Sequence, residues 1–120
     1  MLSNTIQSGD WKSEKHVPEI EYKLTEDGFV KVKASVGKEI EHPNTLEHHI
    51  SWIKLFFLAE GEKFPVEIAD YEFKAHGEGG VFTKPVAKSV FKTEKGGKLF
   101  AISYCNIHGL WESEKDLELN

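Results

Sequence analysis

The only cysteine of the chain, Cys105, is separated from His108 by two residues, and both follow residues 98–104, which are predicted to form a strand. Two intervening residues allow a chain to turn back after a strand and to direct a thiol and an imidazole at one point. Together these groups suit a transition metal far better than magnesium or calcium. Taken alone, the pair fits a buried structural thiol as well as it fits a metal site.

Three more histidines lie in segments that the sequence predicts to be loops. His16 lies just before Pro18, in a segment where proline favours an extended chain. His42 and His48 flank a turn-forming stretch that begins at Pro43. Any one of these histidines would be unremarkable by itself. In combination with the Cys-x-x-His pair, they predict a metal site with nitrogen and sulfur ligands.

The remaining two histidines are predicted to stand outside that site. His49 follows His48 directly and would point to the opposite side of an extended chain. His76 adjoins Gly77 in a glycine-rich turn, where we expect it to be either solvated or bonded locally.

The number and kind of the ligands narrow the choice of metal but leave alternatives open. Structural zinc normally closes with four tetrahedral ligands, and five would overfill that shell. Blue copper uses two histidines, one cysteine and a weak axial methionine, but the only methionine here is Met1. Four nitrogens in a plane with an axial thiolate would suit a five-coordinate iron with an open sixth position. A blue-copper-like electron carrier and a structural zinc module remain alternatives.

The elements that must position these ligands are predicted to be short strands. Residues 30–36 and 69–75 alternate between apolar and polar side chains, which is typical of half-buried strands. Turn residues separate seven such segments, and no segment predicts a long amphipathic helix. This pattern favours an all-β sandwich, with a small barrel as the alternative. The other strands are expected at Glu19–Leu24, Ile50–Leu58, Val86–Thr93, Lys98–Tyr104 and Asp116–Leu119.

Length, charge and hydropathy limit the classes of protein to which the chain can belong. The 120 residues are the size of one domain, predicted to span 1–120. The net charge is −5, and all fifteen basic residues are lysine, which argues against a nucleic-acid binder. No apolar run has the length of a membrane span. The first residues lack the apolar core of a signal peptide, so we expect a cytoplasmic protein.

Four segments carry a resemblance to a known family. They span nearly the whole chain and read EKHVP at 14–18, GKEI at 37–40, HPNT with EHHI between 42 and 50, and SYCNIHGLW at 103–111. In this order they resemble the superoxide reductases, specifically the one-iron neelaredoxin class of the desulfoferrodoxin superfamily. The larger two-iron relatives carry a further iron bound by N-terminal cysteines, which a chain with one cysteine cannot hold.

The resemblance implies an immunoglobulin-like seven-stranded sandwich, with a mononuclear iron in the loops at one end that cycles between Fe²⁺ and Fe³⁺. Glu14 would occupy the sixth position of ferric iron, and Lys15 would be the cationic residue near the open face. The backbone N–H groups of Ile107 and His108 would bond the cysteine sulfur. The implied ligands are an axial Cys105 and the equatorial His16, His42, His48 and His108.

The resemblance also implies the reaction and the partners. Superoxide would be reduced by one electron to hydrogen peroxide, and a small electron-transfer protein such as rubredoxin would return the electron. The family's frequent tetramer implies a homo-oligomer. Two departures from the family leave the ligands untouched: Glu41 stands where relatives often have proline, and the stretch 76–81 is shorter than usual. The shorter loop could alter the contacts between subunits, and with them the tetramer.

Overall fold

The computed structural model describes residues 1–119, so the last residue of the predicted 1–120 domain lies outside the described residues. The described chain is almost entirely β-structure, with two short 3₁₀ helices at Leu2–Asn4 and Glu78–Gly80. Within residues 1–119, no helix is long and apolar enough to cross a membrane. The strands are β1 Glu19–Leu24, β2 Phe29–Ser35, β3 Ile50–Ala59, β4 Val66–Glu72, β5 Val86–Lys92, β6 Gly97–Cys105 and β7 Gly109–Leu117.

The strands form two antiparallel sheets that enclose one core. One sheet has the order β1-β2-β5 and the other has the order β4-β3-β6-β7. This is the predicted seven-stranded, immunoglobulin-like sandwich, in the arrangement where β4 pairs with β3 rather than with β5. The prediction of an all-β sandwich is therefore confirmed.

The core is built by side chains that alternate along each strand. In β2, Val30, Val32 and Ala34 are buried, while the lysines between them face outward. The same alternation in β6 buries Leu99, Ala101 and Ser103, and then Cys105 at the end of the strand. Because every second side chain of β6 faces inward, the thiol of Cys105 is buried at the end of the core.

Most of the predicted strands lie where they were expected, but two predictions were wrong in their bounds. The predicted strand 69–75 begins three residues earlier, at Val66, and ends at Glu72. Val66 is 67% exposed, so its end of the strand shows no alternation in burial. The segment predicted to begin at Asp116 is part of a strand that already begins at Gly109. This strand lies at the edge of its sheet and exposes several successive charged residues, which hides its period.

Candidate metal centre

The predicted ligands lie on different segments that meet at one end of the sandwich. The start of β1 pairs with the end of β2, and the start of β3 pairs with the end of β6, so the loops at these strand ends share one edge. His16 precedes β1, and the β2–β3 loop carries His42 and His48. Cys105 is the last residue of β6, and His108 lies in the turn to β7.

All five predicted ligands are brought together. One ligand atom from each of His16, His42, His48 and Cys105 lies within 4.8 Å of every other. His108 joins them, because its Nδ1 lies 3.1 Å from His16 Nε2 and 3.8 Å from the Cys105 sulfur. The Cys105 sulfur also lies 3.7 Å from His42 Nε2. Four imidazole nitrogens and one sulfur therefore converge on a common centre.

The carboxylate of Glu14 reaches into the middle of the histidines. Its Oε1 atom lies 2.9 Å from His16 Nε2, 3.1 Å from both His48 Nε2 and His108 Nδ1, and 3.5 Å from His42 Nε2. Among the described residues, neither Glu14 Oε1 nor His48 Nε2 has a hydrogen-bond partner of acceptable geometry. Buried polar atoms that face one another without hydrogen bonds are costly. A cation held between them would satisfy them, so the donor set fits a metal ion.

The two buried imidazoles of the cluster are held in the neutral form that binds metals. Burial lowers the pKa of His42 to about 4, although the hydrogen bond to the Pro43 carbonyl opposes this. Burial also lowers the pKa of His16, against the attraction of Glu14. His42 Nδ1 lies 2.7 Å from the Pro43 carbonyl and so donates its proton there. This leaves His42 Nε2 with a free lone pair directed at the centre.

The thiol of Cys105 is protonated until a metal arrives. Burial raises the pKa of Cys105, and the backbone N–H groups of His108 and Ile107 only partly oppose this. The N–H of His108 lies 3.4 Å from the sulfur and donates to it. A metal ion bound here must displace the thiol proton. The same N–H groups would then moderate how much charge the thiolate gives to the metal.

Aromatic rings and an aspartate, none of them predicted as part of the site, hold the His16 segment. Trp111 is fully buried and stacks on His16, with centroids 4.3 Å apart and ring planes 10° apart. Trp11 meets the ring of His16 edge-on at 4.9 Å. The carboxylate of Asp10 accepts hydrogen bonds from the backbone N–H groups of His16 and Val17. No sequence pattern points to Asp10 or Trp11. The one available signal is for Trp111, which lies close to the ligand motif Cys-x-x-His in the sequence.

Lys15 lies on the segment between Glu14 and His16, as its sequence position requires. Its ammonium donates a hydrogen bond of 3.0 Å to the backbone carbonyl of Trp11. The ammonium is therefore bonded to its own segment, four residues back along the chain.

His49 and His76 stand outside the cluster and contact each other instead. Their rings stack at 3.5 Å with planes 7° apart. His76 is buried rather than solvated, and its ring nitrogens each lie 2.6 Å from an oxygen, one of Asn44 and one of Phe73. Of the two environments predicted for His76, local bonding is the one observed.

Comparison with known proteins agrees with this geometry. The chain matches the Desulfoferrodoxin family model over residues 8–114, and it belongs to this family. It is 59% identical to a superoxide reductase of Pyrococcus furiosus, with 98% of this chain and 100% of the relative covered. It is 47% identical to neelaredoxin of Megalodesulfovibrio gigas, with 98% of each chain covered. The resemblance seen in the sequence is thereby confirmed.

Solved structures show the same architecture. A crystal structure of superoxide reductase in the oxidised state superposes with a TM-score of 0.93 at 60% identity, covering 98% of this chain and 100% of the other. The reduced form of superoxide reductase (neelaredoxin) from Archaeoglobus fulgidus gives a TM-score of 0.90 at 57% identity, covering 96% and 99%.

Proposed function

We propose that this chain is a superoxide reductase, which adds one electron and two protons to superoxide and releases hydrogen peroxide. The observation that carries the proposal is the convergence of four imidazole nitrogens and one cysteine sulfur around a carboxylate oxygen. The relatives that bear this name are 58–59% identical over almost the whole chain. The metal would be a single iron, held by His16, His42, His48, Cys105 and His108.

Iron fits this donor set better than the other metals do. When bound, iron supplies the electron and a coordination position for a small ligand. Five converging donors overfill the tetrahedral shell of structural zinc. A blue-copper site would need an axial methionine or a substitute, and Met1 is 98% exposed. The buried, neutral imidazoles of His16 and His42 are ready to bind without first losing a proton.

Two residues of the His16 segment would act on the substrate side. Glu14 reaches the centre of the four histidines and so would cap the vacant position when iron is ferric. The carboxylate would have to leave that position for superoxide to bind, and it would be held less strongly by Fe²⁺ than by Fe³⁺ because the charge is lower. Lys15 would place positive charge near the path of an anion whose approach the net charge of −5 opposes.

Cys105 would tune the centre. Its thiolate would donate electron density to a bound metal, and the backbone N–H of His108, which is directed at the sulfur, would limit that donation. Protons must reach the product oxygen from water or from a side chain beside the centre, and Glu14, whose carboxylate lies among the four histidines, would be one such group.

The reaction requires a partner, because one iron holds one electron and must regain it after every turnover. We propose a small electron-transfer protein such as rubredoxin as the donor. We also propose a homo-oligomer, with the tetramer that the family often forms, and a cytoplasmic location. The donor and the oligomer are what the family implies, whereas the geometry of the chain supports the metal centre.

Metal analysis with a visible spectrum of the oxidised protein tests the proposal. We expect about one iron per chain and a thiolate-to-ferric charge-transfer band that gives a blue colour. Cys105→Ser should lose this band. His48→Ala should lose iron, while His49→Ala, its neighbour outside the cluster, should keep it. Copper at stoichiometric amounts, a colourless zinc protein, or an unchanged spectrum in Cys105→Ser would contradict the proposal.

A further inference from the structure

The side chain of Asn106 joins the two segments that carry Cys105 and His48. Its Oδ1 atom accepts a hydrogen bond of 2.8 Å from the backbone N–H of His49. Its Nδ2 group donates a hydrogen bond of 2.9 Å to the backbone carbonyl of Glu47. One amide group thus bonds the residues on both sides of His48, and it belongs to the residue that follows Cys105.

These bonds begin where the sheet ladder ends. β3 begins at Ile50, which pairs with Cys105 at the end of β6, and the register between Ile50 and Trp52 is irregular. Beyond this pair, the backbone N–H of Asn106 still donates to the His49 carbonyl over 3.2 Å. The Asn106 side chain then continues the connection as far as Glu47. The side chain thus connects the two ligand segments where they leave the sheet and backbone pairing no longer joins them.

The turn that contains Asn106 does not depend on this side chain for its shape. The N–H of His108 donates back to the Cys105 sulfur, and Gly109 takes a positive φ of 80° that closes the turn. The indole N–H of Trp111 donates to the His108 carbonyl over 3.2 Å. Because the turn has its own bonds, the amide of Asn106 is free to bond the other segment.

We propose that Asn106 is a positioning residue that fixes the imidazole of His48 relative to the sulfur of Cys105. An amide is required, because one contact needs an acceptor and the other needs a donor on the same small group. Aspartate would keep the acceptor for the His49 N–H but would place a second oxygen against the Glu47 carbonyl. Alanine would release both contacts. Substitution of a residue that orients a metal ligand typically lowers metal affinity by about ten- to a hundredfold.

The proposal rests on the metal centre described under the proposed function but can be tested without superoxide. Metal-free protein is titrated with cobalt(II), whose visible bands report both affinity and thiolate ligation. We expect Asn106→Ala and Asn106→Asp to bind cobalt about tenfold more weakly than the unchanged chain. We also expect the thiolate-to-cobalt band to shift. Leu46→Ala, a truncation of a 64% exposed side chain in the loop that carries His48, should bind cobalt as the unchanged chain does.

Thermal unfolding of the metal-free variants separates positioning from stability. A residue with a purely structural role would lower the unfolding temperature, yet the folded fraction would show unchanged cobalt affinity and an unchanged band, and that result would overturn the proposal. Asn106→Asp is nearly isosteric and supplies the test if Asn106→Ala fails to fold. If the iron-loaded chain did not react with superoxide, the proposed function would fail, but the cobalt titration would still decide the role of Asn106.

Discussion

The carboxylate of Asp10 accepts a hydrogen bond of 2.6 Å from the backbone N–H of the ligand His16. The same oxygen accepts a second hydrogen bond, of 2.9 Å, from the N–H of Val17. The segment between these residues is therefore closed into a loop, and Glu14 and Lys15 lie inside it. Asp10 thereby sets the shape of the segment that carries Glu14 and Lys15.

Loss of this carboxylate should loosen the loop. We expect Asp10→Ala to lower the free energy of unfolding by about 2 kcal/mol, because two hydrogen bonds to a charged acceptor are lost at a partly solvated site. Asp10→Asn should cost less, since the amide oxygen still accepts. Urea unfolding of the metal-free variants measures the difference, and iron retained after dialysis reports on His16. Equal stability and iron retention in Asp10→Ala would contradict this role.

Glu14 should affect the oxidised protein more than the reduced one. We expect Glu14→Ala to shift the visible spectrum of the oxidised protein, because Glu14 Oε1 no longer lies among the ring nitrogens. The second-order rate of the reduced protein with superoxide should barely change, since the carboxylate would not be bound to Fe²⁺. Glu14→Gln, which keeps the size but not the charge, is the matched variant. Oxidised spectra identical to that of the unchanged chain would argue against a capping role.

Lys15 should speed the arrival of superoxide through its charge. We expect Lys15→Ile to slow the second-order reaction roughly tenfold and to flatten its dependence on ionic strength. Iron content and spectrum should stay the same, because the lysine is not a ligand. Lys12→Ile removes an exposed lysine from the same segment and should have a smaller effect. Pulse radiolysis across a salt series decides the matter, and equal rates with equal salt slopes would rule out steering by Lys15.

Metal uptake by the metal-free protein should depend on pH through Cys105. Burial raises the pKa of this thiol, so the thiol is protonated throughout the neutral range and metal binding releases its proton. The pKa of His42 is about 4, so this imidazole releases no second proton above about pH 5. Cobalt affinity should therefore rise about tenfold for each pH unit between about pH 6 and pH 8. It should rise less steeply in Cys105→Ser, and a flat profile in the unchanged chain would show that the thiolate is already formed.

The sequence predicted the five residues that converge better than it predicted the residues that hold them in place. Cys105 and His108 can be recognised in the sequence because two residues separate them directly after a strand. The alternation of buried and exposed side chains along β6 explains why the thiol is buried. Asp10 and Asn106 were missed because their bonds join segments whose relative position depends on the folded path of the loops. Asn106 reaches residues 57 and 59 positions away, and no local pattern reports such a contact.

The bounds of the strands were also predicted well where local turn residues set them, and poorly where pairing with another strand sets them. β1 was predicted with its exact bounds, because the turn at Gly28 and the entry at Pro18 are local signals. The bounds of β7 were wrong, because its pairing with β6 keeps Trp111 and Leu117 inside while charged residues cover the rest of the strand. The position of Lys15 beside His16 is evident from the sequence, but its hydrogen bond to Trp11 is visible only in the fold.

The stoichiometry of the reaction with superoxide tests the central claim most directly. Iron-loaded, fully reduced protein is mixed anaerobically with a known amount of superoxide, and oxidised iron, hydrogen peroxide and dioxygen are measured together. A superoxide reductase should oxidise its iron and form hydrogen peroxide in equal molar amounts to the superoxide consumed, without evolving dioxygen. Dioxygen evolved alongside half that yield of peroxide would indicate dismutation. Iron that stays reduced in the presence of superoxide would contradict the assignment altogether.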